Sequence, residues 1–397
     1  SDHCNELLVE ASVAEDDADA HWFRPEFDAF LVDEARSVGI PCLDRTEIVQ
    51  ADGSQGWALS CRRGTEAISI QAEFLIDASG EGGFLLRQLQ IPNDVDRMRT
   101  NSRVVYGHFT GVDEWDGLYR AAGGRAADHT FYCDDAALHH VVDGGWMYVL
   151  RFQNGVTSAG FLIDNRRFPR DPDLSADEEW HAWLERYPSI AAQFRNAAVT
   201  DLCGSIRRSS RLQRRARQTV GMNWAMLPQA AYSLDALHSS GNAHTLYGIE
   251  RLVAILEQRL SVAERYAALQ QHAKTLDAEI DLVDQIVHGC YRGFVHFDLF
   301  VSMAMFYFAG AHNSEDLRRR GVARPGQAFL LADHQEFRAA VDRCYDELLR
   351  ITARPAQSAE IVGFQQLVAR EIAPFNIAGL CDPSRKNMYP FIVAASQ

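Results

Sequence analysis

The sequence predicts a protein of mixed α+β and α/β class, in which a strand–turn–helix unit is combined with a second β-sheet and a C-terminal helical domain. Three observations lead to this prediction. A hydrophobic strand at residues 74–77 runs into a glycine-rich turn and a short helix. Aromatic residues alternate along a hairpin at residues 146–163. From residue 261 onward the pattern is almost wholly helical, and 397 residues with 47% hydrophobic content can bury one large core or two fused domains.

The charge and hydropathy argue against several classes of partner. The formal net charge is −15, so nucleic-acid binding would need a basic patch that overrides this field. Arginines cluster at residues 207–217 and 318–320, but these clusters are short and we expect them to be solvated or ion-paired. The most apolar stretch, residues 299–311, is shorter than the about 20 residues that cross a bilayer. The sequence therefore predicts a cytoplasmic protein with no nucleic-acid or membrane partner.

The cysteines and histidines form no recognisable metal-binding pattern. No Cys-x-x-Cys pair occurs, and no cysteine stands beside a histidine at zinc-ligand spacing; the eight are Cys4, Cys42, Cys61, Cys133, Cys203, Cys290, Cys344 and Cys381. Adjacent strand residues point to opposite faces, so His139 and His140 cannot readily share an ion, and we expect one packed and one surface histidine. The prediction is reduced, mostly buried thiols and no metal.

The first predicted element is an amphipathic helix. Pro25 is preorganised for a first helical turn and Gly39 ends the pattern. One helical face is apolar, which predicts packing on a sheet; it consists of Phe27, Phe30, Leu31, Ala35 and Val38. Short β-like runs follow at residues 47–77, separated by Asp-Gly and Arg-Gly turns.

The later elements are a hairpin and a long helix. Trp146, Tyr148, Leu150 and Phe152 alternate along the first strand, so one face of this sheet is aromatic. A polar connection at residues 168–175 leads to the helical part. A long amphipathic helix begins after residues 239–242.

Two segments could carry chemistry. The strand ending at Asp77 is followed by Gly80-Glu81-Gly82-Gly83, whose glycines let backbone approach a ligand. Tight strand-to-helix packing explains the same pattern, and the third glycine of a dinucleotide fingerprint is missing. Residues 223–242 precede the long helix, whose free N–H groups and positive dipole end can stabilise an electron-rich ring edge, an oxyanion or a halide. An ordinary N-cap by Ser240 or Asn242 is the alternative.

The order of these segments resembles that of flavin-dependent monooxygenases related to tryptophan halogenases and geranylgeranyl reductases. The resemblance rests on Arg24-x-x-Phe27-Asp28-x-x-Leu31, on Asp77-Ala78-Ser79-Gly80, on Leu138-His139-His140 with Gly144-Gly145-Trp146, and on residues 223–241. It implies an FAD-binding three-layer, glutathione-reductase-like fold that lacks its first strand as given, with a β-sheet substrate domain and a C-terminal helical domain. The implied boundaries are 1–95 for the partial FAD-binding domain, 96–165 for the substrate sheet, 166–262 for the return segment and 263–397 for the helical domain.

The resemblance also implies the site residues. The loop from Asp235 to Gly241 matches the segment that passes the flavin ring, and Ser240 with Gly241 match the pair that binds halide in halogenases. The implied FAD contacts are Arg24, Asp77, Gly80, Gln229, Asp235, Ser240, Gly241 and Asn242, and Gln229 stands where many relatives have a ribityl-binding aspartate. The substrate cavity would be lined by Trp146, Tyr148, Phe294 and Phe297. A wider aromatic group at residues 291–308 fits either core packing or a lid.

Two departures from the family pattern matter. The opening strand with its Gly-x-Gly-x-x-Gly turn is absent from the chain as given, and we expect the natural protein to have it, because a sheet without its central strand leaves backbone groups unpaired. Halogenases use a lysine to guide hypohalous acid, but neither Lys274 nor Lys386 lies in a matching segment, and His238 replaces a glutamate. The lysine would come from the missing N-terminal part, but its absence here and the replaced glutamate favour hydroxylation over halogenation.

The predicted function is that of an FAD-dependent monooxygenase that hydroxylates an aromatic, indole-type substrate through a flavin C4a-hydroperoxide. The substrate is a small aromatic molecule or tryptophan in a small partner polypeptide, as in tryptophylquinone biogenesis, which the ending at residues 376–383 favours. A separate flavin reductase or NAD(P)H would reduce the flavin. His238, with an ordinary pKa near 6.5, and Asp235 are the candidate bases, with a loop-bracing hydrogen bond as the alternative for each. Two other hypotheses are a flavin-dependent halogenase of an aromatic substrate and a degenerate flavoprotein fold kept as a binding module.

Overall fold

The computed structural model of the chain describes residues 5–9, 20–126, 129, 131–202, 204–324 and 326–382. Cys4, Cys203 and Lys386, and the last residue of the segment at 376–383, lie outside these ranges.

The N-terminal part contains one helix, a small antiparallel sheet and the predicted strand–turn–helix unit. Helix α1 and strands β1 to β3, which pair in that order, precede strand β4 and helix α2. Their bounds are Arg24–Ser37 (α1), Glu47–Asp52 (β1), Trp57–Arg63 (β2), Glu66–Ala72 (β3), Leu75–Asp77 (β4) and Phe84–Gln88 (α2). Strand β4 pairs in parallel with β12 (Trp224–Met226), so the segment ahead of the loop at residues 234–240 returns to the same sheet.

Helix α1 forms where the sequence predicts it, but its expected packing on a sheet is wrong. None of its residues is buried, and Phe30 and Leu31 are 55% and 49% exposed. The described ring contacts lie at its beginning, where Phe23 meets Phe152 at 5.2 Å. The small sheet instead packs on α2 and β12 through Ala51 and Trp57.

The second sheet has the order β10-β5-β8-β7-β6, with β9 paired to β5, and is antiparallel throughout. Its strands are Ser102–Thr110 (β5), Leu138–Val142 (β6), Gly145–Arg151 (β7), Thr157–Asp164 (β8), Ala198–Val199 (β9) and Arg207–Arg208 (β10). The predicted alternation along β7 is confirmed: Trp146 and Tyr148 face the C-terminal helices, whereas Met147 and Val149 face the opposite cluster with Trp180. Helices α3 (Trp115–Ala121), α4 (Ala176–Arg186) and α5 (Pro188–Gln193) flank this sheet.

The remaining chain is mostly helical, as predicted. Short elements precede it: β11 (Arg214–Arg215), α6 (Pro228–Ala231) and β13 (Tyr232–Ser233). The long helices are Gly241–Leu256 (α7), Val262–Gly293 (α8), Phe297–Arg319 (α9), Gln335–Ile351 (α10) and Ser358–Ile372 (α11). Helix α8 starts with a capping box in which Ser261 and Glu264 satisfy each other's backbone N–H groups. Among the described residues, no helix combines the length and the apolarity that a bilayer crossing requires.

The arginine clusters are largely ion-paired, which confirms the expectation from the sequence. Arg208 pairs with Glu179, Arg217 pairs with Asp94, and Arg215, which is 1% exposed, pairs with Asp277 and Asp281. The second cluster pairs with Glu250, Glu315 and Asp316. Most of the guanidinium groups are therefore committed within the chain.

Candidate functional site

The loop between β13 and α7, residues 234–240, is fixed at its centre by Asp235. This carboxylate accepts hydrogen bonds from Ser102 Oγ at 2.6 Å on β5, from Trp146 Nε1 at 3.0 Å on β7 and from Tyr291 OH at 2.8 Å on α8. The backbone N–H of Leu237 donates a fourth bond, at 3.2 Å. The loop is therefore clamped between the aromatic face of the second sheet and the C-terminal helices.

Asp235 is buried, and its bonding favours the loop-bracing alternative over direct base chemistry. Burial raises the pKa of its carboxyl group, while the hydrogen bonds from Ser102, Tyr291 and Trp146 oppose this effect. An ionised carboxylate has about four acceptor positions, and four donors already occupy them. The catalytic assignment of Asp235 stays a prediction, and the structure gives it a positioning role.

His238 lies deeper than its sequence context suggests. Its ring stacks on Tyr307, with 4.4 Å between the ring centroids. The side chain is only partly exposed to solvent, because neighbouring protein groups cover most of it. This burial, together with His139, lowers the pKa of His238 to about 3. The Cys290 thiol lies 3.6 Å from Nε2. The pKa near 6.5 that favoured His238 as a base is therefore not found: the ring is neutral at physiological pH, and its role in catalysis stays a prediction.

Aromatic rings form a wall beside this loop. Trp146 contacts His139 at 4.5 Å and Tyr148 at 6.3 Å between centroids, and Tyr291 contacts Phe294 at 5.0 Å. Phe300 joins Phe294 to Phe297, at 5.3 and 5.7 Å. These contacts form two groups of rings, and the four predicted substrate residues all belong to the same hydrophobic cluster. Several rings stay partly exposed within it: Tyr148, Tyr291, Phe294, Phe297 and Tyr307.

The two adjacent histidines point to opposite faces, as predicted, but neither is a surface residue. His139 packs on Trp146, whereas His140 packs on Trp115 at 4.6 Å and pairs through Nε2 with Gln193 Oε1 at 3.3 Å. Burial lowers the pKa of both imidazoles to about 4. His139 therefore adds a neutral imidazole to the aromatic wall, which the sequence interpretation did not assign to the site.

Helix α7 begins at the end of the loop without a side-chain cap. Ser240 is its N-cap residue but makes no capping hydrogen bond, and Ser239 before it has the left-handed φ of 51°. Gly241 follows, and a Cβ there would lie 2.7 Å from Gln229 Nε2. Asn242 is exposed in the first turn. The simple N-cap alternative is therefore not found, and the Ser240 side chain leaves the N–H groups at the positive end of the helix uncapped.

The carboxyl end of β4 and β12 carries the other predicted contacts. Asp77 is buried, and its carboxylate accepts bonds from the backbone N–H groups of Ser79 and Leu85, each at 2.8 Å, so it braces the glycine turn. Gly80 has a φ of 58°, and no atom lies within 4 Å of the position of a Cβ. Asp77 therefore shapes the turn, and Gly80 leaves its surface open.

Arg214 is a candidate residue that the sequence interpretation missed. Its Nη2 donates to the carbonyl of Gln229 at 2.7 Å, and its Nε is buried without a hydrogen-bond partner. Burial lowers the pKa of this guanidinium, while Glu81 and Asp77 oppose the shift. The signal was in the sequence: neighbours on a strand face opposite sides, so Arg214 had to point away from the ion-paired Arg215.

Arg24 is not joined to these groups by its described contacts. Its side chain is 68% exposed and binds Asp28 on the same helix, with Nε 2.7 Å from Oδ1. Its predicted role beside a cofactor stays a prediction.

A cavity of about 270 Å³ lies elsewhere, between the C-terminal half of α9 and the segment before α10. Asn313, Arg324, Gln327, His334 and Phe375 are among its lining residues. None of the predicted site residues lines it, so we place the candidate site by its side-chain chemistry at the loop before α7.

The architecture is the mixed α/β fold with a helical C-terminal region that FAD-bound halogenases have, which confirms the predicted fold class. Halogenase PltM in complex with phloroglucinol and FAD superposes with a TM-score of 0.79 at 21% identity, over 93% of this chain and 77% of that one. Flavin-dependent brominase Bmp2 gives 0.56 at 16% identity, over 82% and 75%. At these identities the likeness establishes the fold.

Two curated relatives are similar in sequence, whereas no protein-family model matches the chain. Tetracycline 7-halogenase of Kitasatospora aureofaciens is 29% identical over 299 residues, which are 72% of this chain and 51% of that protein. Monodechloroaminopyrrolnitrin halogenase PrnC of Pseudomonas fluorescens is 27% identical over 372 residues, 86% and 63% respectively. The chain thus spans about half to two thirds of the length of these relatives.

Proposed function

We propose that this protein is an FAD-dependent halogenase of an electron-rich aromatic small molecule. The observation that supports it most is the loop at residues 234–240, which lies between the aromatic face of the second sheet and the C-terminal helices and ends at the uncapped start of α7. An aromatic ring held at that wall would face the segment that meets the cofactor in proteins of this fold.

The similar proteins shift the preference between the two reactions. Hydroxylation was the main prediction from the sequence and halogenation its alternative, yet the relatives and solved structures named above are halogenases. Halogenation is therefore the better-supported hypothesis. Hydroxylation of peptide-bound tryptophan gains no support from these proteins, and a flavin reductase as partner stays a prediction.

The described residues fit FAD at three points. Arg214 offers a buried, unpartnered Nε to a phosphate oxygen, and the N–H groups at the start of α7 can face the electron-rich edge of the ring. A Cβ at Gly241 would lie 2.7 Å from Gln229 Nε2, so the glycine lets this amide lie against the start of α7, where it could contact a flat ligand. Bound FAD, once reduced, would supply the oxygen chemistry that converts a halide into an electrophile.

The chain's own task is to hold the arene and remove its proton. The neutral imidazoles of His139 and His238 lie at the aromatic wall, where they can accept a hydrogen bond from a phenol or a pyrrole N–H. A ring that has gained a halogen is a strong acid, so a weak base is sufficient to take its proton. Lys274 lies on the exposed side of α8, so we do not assign it the role of guiding the electrophile.

A reaction with defined products tests this proposal. The protein is incubated with FAD, NADH, a flavin reductase, bromide and phloroglucinol, and the products are analysed by mass spectrometry. Replacement of a ring hydrogen by bromine supports halogenation. An added oxygen in place of bromine would restore the hydroxylase hypothesis, and no FAD binding at micromolar cofactor would favour the binding module.

A matched pair of variants tests the cofactor contact. Arg214→Gln removes a guanidinium whose Nε has no partner, and we expect about 10-fold or greater loss of FAD affinity, as for a charge-assisted bond. Arg217→Gln removes an exposed arginine three positions away that pairs with Asp94, and should leave FAD affinity unchanged. Equal affinities in both variants would contradict the assignment of Arg214.

A further inference from the structure

A cluster of three potential metal ligands lies outside the site described above. Asp116 is in the first turn of α3, and His129 and Cys133 lie in the segment between α3 and β6. One ligand atom from each residue lies within 4.8 Å of the other two. The set combines a carboxylate oxygen, an imidazole nitrogen and a sulfur, which is the mixture that borderline-soft divalent metals accept.

His129 provides an independent indication of a ligand. Its side chain is 7% exposed, and its Nε2 lies 3.3 Å from Glu6 Oε1. Its Nδ1 is buried and has no hydrogen-bond partner. A neutral ring that donates its Nε2–H to the carboxylate has its lone pair on Nδ1, and a buried polar atom without a partner is uncommon and costly. A carboxylate behind a histidine is also how metal-binding imidazoles are oriented.

The charges around Cys133 favour a cation. Cys133 is buried, with Sγ 3.7 Å from Asp134 Oδ2, and Asp134 in turn accepts the backbone N–H groups of Trp115 and Asp116. Arg120 binds Asp116 but is 57% exposed, so it can move toward water when a cation binds.

We propose that Asp116, His129 and Cys133 bind one Zn²⁺ ion, with Glu6 orienting His129. Zinc bonds of about 2.0–2.3 Å in a tetrahedron place ligand atoms about 3.3–3.8 Å apart, so separations of up to 4.8 Å have to close by about 1 Å. The ion would tie α3 to the segment that precedes β6, the strand that carries His139. This proposal replaces the sequence-based expectation that the chain binds no metal.

Titration with the metal alone tests the proposal. The whole chain is freed of metal with a chelator and titrated with Zn²⁺ by calorimetry, and with Co²⁺ in the spectrophotometer. We expect one ion per chain, release of the thiol proton, and a thiolate-to-cobalt charge-transfer band. Cys133→Ala and His129→Ala should each weaken Zn²⁺ binding about 100-fold or more, and Cys133→Ala should abolish the charge-transfer band.

Two further variants separate metal binding from folding. Glu6→Gln keeps the size of the side chain and should weaken zinc about 10-fold to 100-fold, as loss of a ligand-orienting partner does. Cys344→Ala removes another buried thiol, on α10, and should leave the affinity unchanged. The proposal is overturned if the folded wild-type chain binds no zinc at about 100 µM ion, a concentration far above the dissociation constants of zinc sites that contain cysteine and histidine. Binding that persists unchanged in Cys133→Ala would overturn it equally.

Discussion

Replacing Asp235 tests whether this residue braces the loop or takes part in the chemistry. Its Oδ1 accepts from Trp146 Nε1 and the Leu237 N–H, groups that can only donate, and its Oδ2 accepts from the hydroxyls of Ser102 and Tyr291. In Asp235→Ala the two obligatory donors lose their acceptor in a buried environment, at about 1–3 kcal/mol each. The hydroxyl groups can rotate toward other partners. We expect the free energy of unfolding to fall by about 2–6 kcal/mol.

Asp235→Asn separates the two roles. Its amide oxygen can still accept from Trp146 and Leu237, while its NH₂ group can donate to the two hydroxyl oxygens, so the network survives without its charge. We expect a loss of about 1–2 kcal/mol, because charge-assisted hydrogen bonds are roughly twice as strong as neutral ones. If Asp235 only braces the loop, this variant keeps most of the turnover rate; if it is the base, the rate collapses while the protein stays folded.

Urea unfolding and single-turnover product formation measure the two outcomes on the same preparations. Ser60→Ala, an exposed position on β2, is a suitable control for the handling of variants and should change neither quantity. An Asp235→Ala protein whose free energy of unfolding lies within about 1 kcal/mol of the wild type would refute the reasoning, since stranded buried donors cost more than this.

Three other predictions concern a buried ion pair, the start of α7 and the buried histidines. Glu279→Gln should lower the free energy of unfolding by about 3–5 kcal/mol, because Glu279 is fully buried and pairs with His244 and Arg251. Glu250→Gln, in the exposed pair with Arg318, should lower it by under about 1 kcal/mol. Equal losses for the two variants in urea unfolding would contradict this. Gly241→Ala should keep the fold, since the new methyl group would meet only the flexible end of the Gln229 side chain. It should lower FAD affinity about 10-fold in a fluorescence titration. An unchanged FAD affinity would count against a close approach of the flavin ring to this position. Burial lowers the pKa of five imidazoles to about 3–4: His139, His140, His238, His272 and His288. These histidines take up protons near pH 6.5 in the unfolded chain but not in the folded chain, so the free energy of unfolding should fall below pH 6.5 by up to about 1.4 kcal/mol per pH unit for each histidine. Unfolding curves that coincide at pH 7.5 and 5.5 would disprove this prediction.

The sequence predicts those parts of the fold that depend on local pattern. Alternation places Trp146 and Tyr148 on one face of β7 because strand geometry fixes that alternation. The turn residues at 239–242 predict a helix start just after them, and α7 begins within them, at Gly241. The packing of α1 could not be predicted in the same way. An apolar face says that a helix needs a partner but not which element provides it, and none of the residues of α1 is buried.

The candidate site likewise has some features that the sequence predicts and others that depend on tertiary packing. Asp235 and His238 stand out in the sequence because they precede a helix start, but their environments come from residues far along the chain. The pKa of His238 depends on its burial beside Tyr307 of α9, and Asp235 is engaged by Ser102 and Tyr291, which lie on different elements. A residue's intrinsic chemistry can therefore be read from the sequence, whereas its protonation state depends on tertiary packing.

Hydrogen bonds from β5, β7 and α8 each hold the loop before α7 in position. A left-handed Ser239 costs on the order of 1 kcal/mol or more and persists only where the surroundings hold it. The bonds to Asp235 four residues earlier, and the stack of His238 on Tyr307, supply that restraint. Because the same bonds run to the aromatic wall, the wall and the start of α7 keep a fixed relation to each other. A ligand that meets both would find its binding geometry already formed.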